Sequence, residues 1–207
     1  MSLPLLDVRE LACERGQKLL FQGVSFSLAA GHWLHLQGAN GSGKTSLLRI
    51  LAGLSPAAAG QVLWQGHPLG RADSAYAAQR MYLGHQLALK EELSALENLR
   101  FEAKLSNHDW SLEQARQALR EQGLAGREHL PLRVLSQGQK RRCALARLRP
   151  GVCRLWLLDE PFVALDALAV EQVSELLDRH LALGGAVLFT SHQPVKLSGP
   201  GHTYPLS

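Results

Sequence analysis

The chain has 207 residues, 46% of them hydrophobic, which suits one α/β domain able to bury its own core. No apolar run is long enough to span a bilayer, no basic n-region opens the chain, and the three cysteines (Cys13, Cys143, Cys153) are scattered with no C-x-x-C, which disfavours a zinc site or disulfide framework. A cytoplasmic protein is predicted, and the net charge of +4 only mildly favours an anionic partner.

In chain order, residues 3 to 37 read as strands and turns. Leu5 to Leu11, Leu20 to Leu28 and Trp33 to Gln37 are β-prone, separated by Glu14 to Gln17 and Ala29 to Gly31. Next come Gly38, Ala39, Asn40, Gly41, Ser42, Gly43, Lys44 and Thr45, which fit the phosphate-binding pattern G-x-x-x-x-G-K-[ST]. Its context is right: a strand precedes it, and Ser46 to Leu54 carries apolar residues at helical spacing. The glycines let backbone N–H groups converge as an anion nest, and the helix that follows adds the positive end of its dipole. Lys44 reaches the β- and γ-phosphates, and the Thr45 hydroxyl ligates Mg²⁺. Nucleotide binding follows from this stretch alone.

Residues 55 to 60 are a breaker segment, followed by a strand and turn at Gln61 to Pro68 and a short strand at Met81 to Leu83. From Lys90 to Leu148 the period becomes helical. Ser94 and Glu97 form a capping-box pattern for a helix to about Leu105. Ser111 to Leu119 make a second, with Leu112, Ala115, Ala118 and Leu119 on one face, ended by Gly123 and Gly126. The block reads as a helical subdomain inserted into an α/β core. Its basic run, Lys140 to Arg142 with Arg147 and Arg149, reads as a solvated helix face rather than a nucleic-acid patch. Cys143 reads as a small buried hydrophobe.

The core resumes at the apolar strand Leu155 to Leu158, continues through a helix from about Asp166 to Leu183, and returns to a buried strand at Ala186 to Thr190. Asp159 and Glu160 end the first of these strands. A carboxylate at that edge, beside the phosphate loop, is where a nucleotide-bound Mg²⁺ sits, and Asp159 fits it. Glu160 is placed to orient or deprotonate an attacking water.

Between these motifs lie Leu135, Ser136, Gln137, Gly138 and Gln139. They resemble the signature segment of the ABC-type ATPases, usually Leu-Ser-Gly-Gly-Gln, with Gln137 replacing the first glycine. The resemblance covers essentially the whole chain. Gln86 is similar to the family's Q-loop glutamine, Ala164 to Asp166 to its D-loop, and His192 to its switch histidine. It implies a single P-loop NTPase domain over residues 1–207. Its core, about 1–88 and 150–207, carries an N-terminal antiparallel β part, and about 89–149 form the helical subdomain. It also implies two chains sandwiching two ATP molecules head to tail. Ser136, Gly138 and Gln139 of one chain would then cradle the γ-phosphate held by the other. Gln86 would sense metal and water, His192 would contact the γ-phosphate, and Asp166 would couple the two sites.

One departure concerns the base. The aromatic that usually stacks on adenine is absent from Ala12 to Leu20, and Arg15 is the nearest candidate to replace it. Further phrases (Leu83 to Gln86, Gln139 to Arg147, Leu158 to Phe162, Ser191 to Pro194) are similar to the haem-export branch that serves bacterial cytochrome c maturation. That branch implies a peripheral protein on the cytoplasmic face of the inner membrane, acting with integral membrane subunits. Haem would be held by those partners, and nucleic acid would not be bound directly. The alternatives are another small-substrate transporter or a soluble ABC ATPase acting on nucleic acid or ribosomes. A GTPase or kinase lacks support, because no N-K-x-D motif occurs. The apolar cluster at Gln86 to Lys90 with Leu93 is expected to dock a partner's helix, with Leu89 open to substitution.

Overall fold

The computed structural model describes residues 3–16, 18–70, 73–105 and 110–207. Two sheets and a set of helices are built in the order β1 (Leu6–Arg15), β2 (Lys18–Leu28), β3 (Trp33–Gln37), α1 (Lys44–Leu51), β4 (Ala59–Trp64), β5 (His67–Pro68), α2 (Ser74–Gln79) and β6 (Arg80–Leu83). After these come α3 (Ala95–Leu105), α4 (Leu112–Glu121), α5 (Gln137–Leu145), β7 (Leu155–Leu158), α6 (Ala167–Ala182), β8 (Ala186–Thr190) and β9 (Gly201–Pro205). The first sheet is antiparallel, ordered β2-β1-β4-β5. The second is parallel, ordered β6-β7-β8-β3-β9.

The parallel sheet is covered on both faces, which is why β7 and β8 are buried at every position and read as unbroken apolar runs. Their side chains still alternate. Leu155 and Leu157 join the cluster formed with α1 and the antiparallel layer, whereas Trp156 and Leu158 face α6 with Val173, Leu176 and Leu177. A third cluster lies within the helical block, built from Leu96, Leu99, Ala115, Leu119, Leu132 and the buried Cys143. His180 of α6 lies flat on Trp156, ring centroids 3.8 Å apart, and burial pushes its pKa down to about 4.

Several expectations change. β1 and β2 run on to Arg15 and from Lys18, so the turn is shorter than Glu14 to Gln17; Gln17 itself lies outside the described residues. The helix α2 and the strand β9 were not anticipated: β9 is a half-polar edge whose outer residues are mostly exposed, so it carries no apolar period. Leu112 is 41% exposed despite its place in the apolar pattern of α4.

The basic run is not a solvated face. Arg141 is buried, Lys140 pairs with Glu91 at 2.6 Å, Arg142 with Asp166 at 2.8 Å and Arg147 with Glu102 at 2.6 Å. Arg149 lies over the Trp110 ring at 4.8 Å. The chain's own acids and one aromatic therefore occupy most of this charge. Leu89 is not free either. It is half-buried and packs against both the sheet cluster and the helical cluster, so a charge there would injure packing as well as any docking.

Candidate active site

The site starts where β3 ends. Its loop turns through Gly41 at φ 82° and Gly43 at φ 99°, left-handed values that favour glycine. At Gly43 a side chain is excluded twice over, because a Cβ would lie 2.8 Å from the Phe21 ring of β2. The antiparallel layer therefore backs the loop directly. Gly43 precedes α1 in the left-handed region, no described side chain caps the helix, and its first turn holds no acidic residue. The open N–H groups and the helix dipole favour an anion. Lys44 Nζ donates to the carbonyls of Gly38 at 2.7 Å and Ala39 at 3.1 Å, which holds the loop closed on itself.

A cleft of ≈ 490 Å³ lies over this loop. Asn40, Gly41, Gly43, Lys44, Thr45 and Ser46 form its floor, Asp159, Glu160 and His192 one wall, and Arg15 with Leu20 the hairpin side. Asp159 is almost fully buried. Its Oδ2 accepts from Thr45 Oγ1 at 2.7 Å and its Oδ1 from Thr190 Oγ1 at 2.9 Å. The same Thr190 oxygen accepts the Glu160 N–H at 2.9 Å. Burial raises the Tyr82 phenol above its usual pKa, and the charge of Asp159 adds to the rise.

Glu160 is the strained member. Its φ is 53°, an uncommon value for a residue with a side chain, and its Oε1 is buried with no described hydrogen-bond partner. His192 Nε2 stands 3.5 Å away, in reach for an ion pair but too long for a good hydrogen bond. A carboxylate left unsatisfied beside a phosphate loop fits a water that arrives with substrate. The adjoining Thr45 hydroxyl and Asp159 carboxylate fit a divalent cation completed by phosphate and water oxygens. Among the described residues no group of three or more His, Cys, Asp and Glu could hold a metal without such help.

The structure brings the loop, Asp159, Glu160 and His192 together, and leaves other candidates outside the cleft. Gln86 is exposed and is not on the wall; its neighbour His85 is. Ser136 caps α5, with Gln139 N–H donating to its Oγ at 3.2 Å and its own N–H donating to Gln139 Oε1 at 3.0 Å. Gly138 lies against the Ala164 carbonyl, where a Cβ would stand 2.8 Å from the oxygen. Asp166 caps α6 through the Ala169 N–H at 2.8 Å and accepts from Arg142 Nη2 at 2.8 Å. Sequence reasoning missed Thr190, although a lone hydroxyl ending an apolar strand was a usable signal. It also missed His85, whose orientation depends on the loop after β6.

A phosphate loop leaving a parallel strand, with an acidic pair on a strand of the same sheet, defines a nucleotide-hydrolysing P-loop protein. The ABC transporter family model matches residues 21–163, and the chain belongs to that family as an ATP-binding ATPase. The cytochrome c biogenesis ATP-binding export proteins CcmA of Escherichia coli strain K12 and Shigella flexneri are each 46% identical to it over 194 residues, covering 94% of this chain and 92% of theirs. Among solved structures, an ATP-binding subunit of an ABC transporter matches with a TM-score of 0.76 at 28% identity, over 91% of this chain and 79% of that one. An ATP-binding cassette in a dimeric post-hydrolysis state, bound to ADP and Pi, shares the fold with a TM-score of 0.79 at 22% identity, over 91% and 88% of the two chains.

Proposed function

We propose that this chain is the ATP-hydrolysing subunit of a membrane complex in c-type cytochrome maturation, driving haem export or release of a haem-loaded chaperone. The observation that carries this reading is its 46% identity, over 94% of its length, to proteins named for ATP-binding export in cytochrome c biogenesis. On this reading the backbone N–H groups from Gly38 to Ser46 hold the phosphates of ATP, and Lys44 turns from the loop carbonyls toward them. Thr45 and Asp159 would hold Mg²⁺, whose charge would offset that of the phosphates. Gln86, outside the cleft in this structure, would join them only after the loop following β6 turns it inward. Glu160 orients and deprotonates the attacking water, and His192 steadies the γ-phosphate. The unsatisfied Glu160 oxygen supports its role.

Ser136, Gly138, Gln139 and Asp166 serve a second copy of the chain across an ATP-sandwich interface. Their position outside the cleft of their own chain supports this assignment. The domain division is a core of about 1–88 and 150–207 with a helical subdomain of about 89–149, supported by the separate apolar cluster within that block. No described helix is long and apolar enough to cross a membrane. On the same reading, which rests on the likeness to the cytochrome c biogenesis export proteins, the chain acts as a peripheral subunit on the cytoplasmic face of the inner membrane, bound to integral partners that carry the haem.

A strain carrying Lys44→Ala tests the whole reading. It should keep its b-type cytochromes and lose its holo-cytochromes c. Normal c-type cytochromes in that strain would place the ATPase with another small-substrate transporter instead.

A further inference from the structure

β8 lies between the strand that launches the phosphate loop and the strand that carries the acids, and its last residue engages both. Thr190 pairs in register with Leu36 of β3, two residues before Gly38. On its other edge the ladder to β7 ends one step earlier, at Leu158 and Phe189. Beyond that point the Thr190 side chain takes over from the backbone. Its Oγ1 accepts the Glu160 N–H at 2.9 Å and donates to Asp159 Oδ1 at 2.9 Å.

Thr190 and Asp159 are both buried, which keeps water from standing in for either bond. A hydroxyl has one proton to donate, and here it goes to Asp159, while the N–H that the oxygen accepts polarises it and strengthens that donation. The bond fixes which carboxylate oxygen faces which way: Oδ1 meets β8, and Oδ2 is left to Thr45 Oγ1 at 2.7 Å. The second bond serves the next peptide. Asp159 N–H is taken by the Leu83 carbonyl of β6 at 2.8 Å, and Glu160 then turns to φ 53°, a conformation that persists where the surroundings impose it. A valine would fill the same space in a strand and make neither bond.

We propose that Thr190 is a positioning residue for hydrolysis: its hydroxyl keeps Asp159 Oδ2 on the Thr45 side and holds the peptide from which the Glu160 carboxylate is aimed. One side chain thereby sets both acids relative to the strand of the phosphate loop. The proposal rests on the reading of Asp159 as the Mg²⁺ carboxylate and of Glu160 as the hydrolytic one.

The test uses the full chain and compares Thr190→Val, Thr190→Ser, Asp159→Asn and Glu160→Gln. Turnover is read with Mg²⁺ and ATP, and ATP affinity is titrated separately in EDTA. Mn²⁺ affinity is read by electron paramagnetic resonance with a non-hydrolysable ATP analogue bound. Thr190→Val should lower kcat and Mn²⁺ affinity about tenfold each, while ATP affinity in EDTA stays within about twofold. Thr190→Ser, which keeps the hydroxyl and loses only the methyl, should bring both back to within about threefold of the unmodified chain. An unchanged kcat or an unchanged Mn²⁺ affinity in Thr190→Val overturns the proposal. A loss that serine does not repair also overturns it, and so does a fall in EDTA affinity as large as the fall for Mn²⁺, since either marks general damage to the cleft. Should Thr190→Val fail to fold, Thr190→Ala replaces it in every comparison. Wild-type turnover in Glu160→Gln, or wild-type Mn²⁺ affinity in Asp159→Asn, overturns the underlying reading of that acid. A silent Thr190→Val beside impaired Asp159→Asn and Glu160→Gln overturns only the positioning role.

Discussion

Two helix N-termini in this chain are built of residues suited to phosphate, and they are finished in opposite ways. At α1 no described side chain caps the helix, and the loop ahead of it is held by packing: Phe21 against Gly43, and Lys44 on two loop carbonyls. At α5 the end is closed by its own residues, through the reciprocal bonds of Ser136 and Gln139. An uncapped end persists where tertiary contacts impose it, whereas a capping box stabilises a helix by about 1 kcal/mol. The first end is therefore ready for an anion in a single chain. The second has to give up a cap to accept one, which suits an end that engages only when another chain presents its nucleotide.

The largest expected effect comes from freezing both ends in use. Glu160→Gln should cut ATP hydrolysis by about 10²–10⁴-fold with ATP binding retained, and an ATP-held dimer should accumulate. Phosphate release and size-exclusion chromatography with ATP check this, and wild-type turnover would remove Glu160 from its role.

Breaking the open end is the next test. Gly43→Ala places a methyl against Phe21 at a left-handed φ, and should destabilise the fold by on the order of 1–3 kcal/mol and weaken ATP binding. Urea unfolding and equilibrium titration measure both. Unaltered affinity would mean that packing does not hold α1 open.

Breaking the closed end should do less. Ser136→Ala should lose about 1 kcal/mol of stability and reduce turnover, while ATP binding to the single chain stays as it was. Weaker single-chain binding would place Ser136 in the cleft of its own chain and end the contrast.

The smallest effect sharpens the α1 side. Arg15→Ala should lose about 0.5–1 kcal/mol of ATP affinity and leave tripolyphosphate affinity unchanged, if the guanidinium contacts the base rather than the phosphates. In the unmodified chain, GTP should compete closely with ATP. A strong ATP preference in side-by-side titrations would mean that another group covers the purine.

How legible these regions were depends on how local their physics is. The phosphate loop could be read because its glycines, Lys44 and Thr45 are contiguous and their spacing is dictated by the ligand. β7 and β8 were readable because burial on both faces leaves only apolar residues. Arg141 was not: next to Lys140 and Arg142 it is one more base, and its burial comes from the packing of α5 against residues 160–166. β9 lacks an apolar period, and its identity as a strand comes from pairing with β3 along Trp33 to Gln37. Which of His85 and Gln86 faces the cleft is decided by the path of one short loop, and adjacent residues give no local sign of that.

That last pairing has a consequence for synthesis. Trp33 Nε1–H donates to the Gly199 carbonyl at 2.7 Å across 166 positions, and Leu206 N–H donates to the Gln37 carbonyl at 2.7 Å. The strand that launches the phosphate loop therefore has both edges bare until β8 is translated, and one edge bare until β9 follows. Closing so long a loop is slow and entropically unfavourable until the partner strand exists. A ribosome-bound chain arrested short of residue 200 already displays Gly38 to Thr45 in full, yet lacks the neighbour that braces their strand. Grip on nucleotide thus arrives late in the life of the nascent chain, well after the residues that make the contact.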